Sequence, residues 1–232
     1  NSNLPPPTII MQSQSTSPTI VVIGSSVALG QGRQGWVDHL RNKLDGHASV
    51  INVSQRGWNV ECVKQAFPHI VPNLNPTTVI VALSLANEGL HSLNNEQASC
   101  VLEAFLSNLR EVGRMIENIG AIPILAGMYP CGMEEMEDVP DVKQYSDYQY
   151  ATIKQACATL SQWVLSEDEP FQYMIEFLSE LDNGKGHWKR GLAADPGHPN
   201  NLGYEVMAKS INSDEILNRT LTRGCGKRER FG

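Results

Sequence analysis

A chain of 232 residues with 41% hydrophobic content can bury a full core, and its length suits one α/β domain better than two. A net charge of −7 argues against a nucleic-acid or anionic-membrane surface, and no apolar run approaches the roughly 20 residues that would span a bilayer. The five cysteines, Cys62, Cys100, Cys131, Cys157 and Cys225, have neither CxxC pairing nor zinc spacing and read as buried or free thiols.

Residues 1–18 hold Pro5-Pro6-Pro7 and a Ser/Thr/Gln-rich run, which reads as an extended arm or linker. They show no basic segment leading into an apolar one, so the compartment, secreted or cytoplasmic, stays open. The consecutive β-branched residues Ile20-Val21-Val22-Ile23 make a strand without a wet face, suited to the centre of a parallel sheet, and it stops at Gly24-Ser25-Ser26. Gly30-Gln31-Gly32-Arg33-Gln34-Gly35 matches G-x-G-x-x-G, but six residues separate it from the strand and no acid ends the next one. No dinucleotide or other cofactor is therefore expected.

A helix with Trp36, Val37, Leu40 and Leu44 on one face leads to a second strand over 50–53. The following helix, with Val60, Val63, Phe67 and Ile70, contains Pro68, which predicts a break or kink near Phe67. A third buried strand covers 77–83. Ala98, Leu102, Phe105, Leu109, Val112, Ile116 and Ile119 then recur at spacings of four and three, predicting a long helix packed on the sheet rather than a coiled coil. A fourth strand covers 122–128. The acidic loop 129–144 fits no EF-hand, and as a solvated loop it would let Tyr129, Met133 or Met136 shape a pocket. A helix with Ile153, Cys157, Leu160 and Val164 precedes a fifth strand near 171–177. The last helix is expected to start at Asn200 or Asn201 and to bury Leu202, Val206 and Ile211, and residues 218–232 read as a basic tail. Five strands alternating with helices predict a three-layer α/β/α sandwich with a parallel sheet over 19–217.

Open α/β sheets keep ligands at the carboxyl ends of their strands, so a serine after the first strand is a candidate nucleophile. Asp195-Pro196-Gly197-His198 sets a carboxylate three residues before an imidazole, close enough to orient it. His187 is a second candidate base, without an acid at short spacing; beside it, Trp188 reads as a pocket wall or part of a packed loop.

In these residues the chain resembles the SGNH (GDSL-like) hydrolase family over about residues 19–217. Block one reads Gly24-Ser25-Ser26-Val27, block two Asn52 with Gly57, block three Leu85-Ala86-Asn87-Glu88, and block five Asp195 with His198. The resemblance implies Ser26 as nucleophile, His198 as base and Asp195 as its orienting acid. It further implies an oxyanion hole built from Ser26, Gly57 and Asn87, and a flavodoxin-like fold. Ser25 stands where the family usually carries an acid, and Leu85-Ala86 leave block three without its glycine. The family's range points to a serine esterase acting on a small-molecule or carbohydrate ester, with acetyl as the favoured acyl group. The alternative is a non-catalytic module of the same fold that binds a carbohydrate or a protein.

Overall fold

The computed structural model describes residues 17–30, 32, 34–136, 138, 139 and 145–226, the last four as backbone only. Most of the expected arm, Gln31 and Arg33 of the glycine-rich stretch, Glu137 and Asp141 of the acidic loop, and the tail from Lys227 onward lie outside the described residues.

The run of β-branched residues forms β1 (Thr19–Gly24), and Ile20 to Ile23 are fully buried on both faces of the sheet. β1 is flanked by β2 (Ser49–Asn52) and β3 (Thr78–Ala82), followed outward by β4 (Ile122–Ala126) and β5 (Met174–Ile175). All pairings are parallel, in the order β2-β1-β3-β4-β5. The chain steps from β1 to one neighbour and then crosses to the other, so the crevice of the sheet opens between the ends of β1 and β3.

Because side chains alternate along a strand, β1 feeds two cores. Val21 and Ile23 pack with α3 (Val60–Ile70), α4 (Asn95–Asn118) and α5 (Asp147–Trp163). Ile20 and Val22 pack with α2 (Trp36–Lys43), α7 (Asn201–Ser210) and α8 (Ser213–Gly226). The result is the expected three-layer sandwich. Two short helices, α1 (Ser26–Leu29) and α6 (Leu178–Leu181), follow β1 and β5.

The period read in α4 holds through Ile116, since Ala98, Leu102, Phe105, Leu109, Val112 and Ile116 are all buried, whereas Ile119 lies just past the helix end and is exposed. Asn94 caps the helix start with Gln97 closing the box. Gly30 ends α1 in the left-handed conformation and the Gly35 N–H bonds Asp38 Oδ2 at 3.0 Å, so these glycines serve as helix ends. Among the described residues no helix is long and apolar enough to cross a membrane.

Four local expectations are corrected. α3 runs through Pro68 to Ile70, because buried Phe67 and Val71 hold its last turn and the Val71 N–H reaches the Phe67 carbonyl at 3.0 Å. The fifth strand is only two residues long. The last helix is two helices, and Leu202 is half exposed because it lies on the outer side of α7. The boundary drawn at 217/218 falls inside α8, whose Thr220 is buried with its hydroxyl 2.8 Å from the Thr78 hydroxyl on β3.

Candidate active site

β1 ends at Gly24 because no other residue fits there. A Cβ would lie 2.0 Å from the Ala82 carbonyl oxygen on β3. The Ser25 N–H donates to that same carbonyl at 3.0 Å, the chain turns, and Ser26 becomes the first residue of α1. Asn52, at the end of β2, donates its amide to the Ala28 carbonyl at 2.7 Å and accepts from the Ser54 N–H at 3.1 Å. A neighbouring strand thus ties down the far end of the helix that presents Ser26.

The second half of the site is a small antiparallel hairpin, β6 (Ala193–Asp195) and β7 (His198–Pro199). Asn200 caps α7 by accepting from the Gly203 N–H, and its amide grips the Gly191 and Ala193 carbonyls, which anchors the hairpin to the helix. Ser26 Oγ lies 2.9 Å from His198 Nε2, and His198 Nδ1 lies 2.7 Å from Asp195 Oδ1. The Asp195 oxygen also accepts the Gly197 N–H at 2.9 Å. The three residues read from the sequence therefore meet in one hydrogen-bonded line. A carboxylate holding Nδ1–H leaves Nε2 as an acceptor for the serine proton, and this is the arrangement that activates a hydroxyl. His187 is not brought to Ser26; it is buried in the 183–188 loop, where its N–H meets Asn183 Oδ1 at 3.3 Å.

Asn87 follows β3 and donates one amide hydrogen to the Trp58 carbonyl at 2.8 Å. Its neighbour Glu88 accepts the Val60 N–H at 2.8 Å and so closes the start of α3, and burial is the main cause that pushes its carboxyl pKa up. These two bonds hold the loop after β3 against the loop after β2. Gly57, exposed at φ 75°, shapes the turn just before Trp58 and does not line the pocket with Ser26.

That pocket, of about 560 Å³, has Ser26, His198 and Asn87 on its polar side and Val27, Tyr129, Pro130 and Met136 on its apolar side. Tyr129 and Met136 shape it as expected, whereas Met133 instead pairs its backbone with Trp188. Burial pushes the Tyr129 phenol pKa far up, so the ring is a neutral wall that stacks on Phe177. Ser84, His91 and Cys131 also line the pocket and were not singled out as site residues from the sequence; Ser84 and Cys131 lie in loops and His91 in a single 3-10 turn (Leu90–Ser92), segments too irregular or short to show a period. Among the described residues no group of three His, Cys, Asp or Glu side chains is arranged to hold a metal.

The model of the GDSL-like lipase/acylhydrolase family matches residues 22–206, which takes in both Ser26 and the Asp195–His198 pair. The chain belongs to that family. GDSL-like acylhydrolases are ester hydrolases, and this is the activity class of the chain. Solved structures of similar fold include a putative lipolytic protein of the G-D-S-L family from Desulfitobacterium hafniense DCB-2, 20% identical, with a TM-score of 0.63 over 84% of this chain and 97% of that one. Another is the psychrotrophic esterase EstA from Pseudoalteromonas sp., 19% identical, with a TM-score of 0.59 over 87% of this chain and all of that one. The lipase/acylhydrolase from Enterococcus faecalis is likewise 19% identical, with a TM-score of 0.60 over 87% of this chain and 96% of that one. A search among curated proteins found no match.

Proposed function

We propose that this GDSL-like hydrolase is a serine esterase that removes a short acyl group, acetyl in the favoured case, from a hydroxyl-bearing carrier such as a carbohydrate. The observation that carries the reading is the line from Ser26 Oγ through His198 to Asp195, opening on a pocket. His198 Nε2 takes the serine proton as Oγ attacks the acyl carbon. The imidazolium, held by Asp195, then returns that proton to the departing alcohol. A water repeats the sequence on the acyl-serine, releasing the acid and restoring Ser26.

The oxyanion formed in each half is met by the Ser26 N–H at the start of α1 and by the second amide hydrogen of Asn87, whose first is engaged by Trp58. Gly57, expected as a further donor, enters instead through the turn that delivers the Trp58 carbonyl. A pocket of about 560 Å³ has room for a whole small ester, and its polar side suits a hydroxylated carrier.

The Pseudoalteromonas esterase was solved inhibited by monoethylphosphonate, which makes a phosphonate the reagent of choice for the test. A fluorophosphonate probe should label the native protein at Ser26, and Ser26→Ala should abolish both labelling and turnover of an ester panel graded by acyl length. A folded native protein that leaves the probe unreacted at Ser26 would favour the binding-module alternative.

A further inference from the structure

Trp188 is the largest side chain near the acid–base hairpin, and it is wholly buried without lining the pocket. Its indole N–H donates to the carbonyl of Pro196 at 3.2 Å. The same carbonyl accepts the Gly132 N–H at 2.7 Å. Pro196 lies between Asp195 and His198, and its carbonyl shares a planar peptide with the N–H of Gly197. That N–H is the one that donates to Asp195 Oδ1. A single peptide unit is therefore gripped at its oxygen by a buried indole and a loop amide, while its opposite end holds the carboxylate that orients His198.

The grip has a reason. The Asp195 side chain is 53% exposed, so water competes for its oxygens and nothing in bulk solvent sets its rotamer. A peptide plane that cannot rotate supplies a fixed donor, and two donors on its carbonyl strengthen the N–H at the other end by polarisation. Trp188 is itself locked, since its N–H reaches the Gly132 carbonyl at 3.1 Å and its carbonyl accepts the Glu134 N–H at 3.3 Å. The loop that bears Met136 on the pocket wall and the hairpin that bears the base are thereby one unit.

We propose that Trp188 is a positioning residue for the acid–base pair, acting through the Pro196–Gly197 peptide to hold the Asp195 carboxylate against His198. The inference rests on the serine-esterase reading for its kinetic consequence and on geometry alone for its structural one.

The decisive variant replaces Trp188 by 3-benzothienylalanine, which keeps the ring shape and removes only the N–H; Trp188→Phe is the simpler companion. Turnover per folded molecule should fall about tenfold with KM unchanged within about twofold, because misplacing a catalytic group by a fraction of an ångström slows chemistry without weakening ground-state binding. The low-field proton resonance of the His198 Nδ1–H should broaden or vanish. In an Asp195→Asn background the isostere should have no further effect on turnover, since the carboxylate it serves is gone. An isostere with the parent's kcat and an unchanged resonance overturns the proposal, and so does an equal fold-loss in the Asp195→Asn background. If Trp188→Phe fails to fold, the isostere decides. Turnover that survives Ser26→Ala would defeat the esterase reading instead, and the resonance would still report on the clamp.

Discussion

Ser25 and Ser26 are adjacent, buried and chemically alike, yet the turn after β1 gives them opposite surroundings. Ser26 Oγ meets an imidazole, whereas Ser25 Oγ has no hydrogen-bond partner among the described residues. Ser25→Ala removes a buried polar group with unmet bonds, so urea unfolding should show stability unchanged or raised by up to about 1 kcal/mol, with turnover close to the parent's. Ser26→Ala should keep the fold and lose turnover by several orders of magnitude. The reverse result would put the nucleophile one residue earlier. Asn87 is the third residue with a definite expectation. Steady-state kinetics of Asn87→Ala should show kcat reduced on the order of 100- to 1,000-fold with little change in KM, the usual loss for one oxyanion donor. An unchanged kcat would place the oxyanion hole elsewhere.

At the level of elements, the site depends on loops that cap one another's helices. Glu88, carried by the loop after β3, closes the start of α3, and its folded-state pKa is raised chiefly by burial, only partly offset by the Val60 N–H. The folded protein therefore holds the Glu88 proton more tightly than the unfolded chain. This contribution to stability is fully present below the ordinary carboxyl value of 4.5 and is lost as pH rises through the elevated folded value. Glu88→Gln keeps an oxygen that can accept the Val60 N–H and cannot ionise. Denaturant midpoints measured from acid to neutral pH should fall less steeply in Glu88→Gln than in the parent, and parallel curves would remove Glu88 from the pH dependence. The cysteines tell a similar story of burial. Cys157, half-buried in α5, has its thiol pKa pushed up to about 12, first by desolvation, whereas Cys100 lies exposed on α4. Maleimide should modify Cys100 well before Cys157, with mass spectrometry after digestion reading the order.

For the molecule as a whole, one sheet carries two cores on its opposite faces, and only the short helix α6 reaches both, with Leu178 in one and Leu181 in the other. Leu40 fills the face with α2 and α7, and Leu102 fills the face with α3 and α5. Each Leu→Ala should cost about 2–5 kcal/mol, and with a sheet between them the two costs should add within about 0.5 kcal/mol in a single unfolding transition. Two separate transitions would contradict the proposal that residues 19–217 fold as one unit. α8 belongs to that unit at least through Thr220, whose buried hydroxyl pairs with β3, so a cut at residue 217 should destabilise the fold rather than trim a tail.

The amino-acid sequence determined by itself whatever is written in neighbouring residues. Four β-branched residues in succession demanded a strand covered on both faces; apolar spacings of four and three demanded the α4 helix; and Asp195 and His198, three apart, needed only a tight hairpin to meet. Gly24 and the serines after it were legible as a candidate nucleophile site because a strand end and a turn are local events. The tertiary structure decided the rest. Ser26 and His198 are 172 residues apart, and their contact depends on the strand order and on how the last hairpin packs. Periodicity reports which side of an element is apolar, not which distant loop will cover it. For that reason Trp188 read as a wall or packed loop when it grips the Pro196 carbonyl, and nothing in the sequence showed that Glu88 would cap the start of α3.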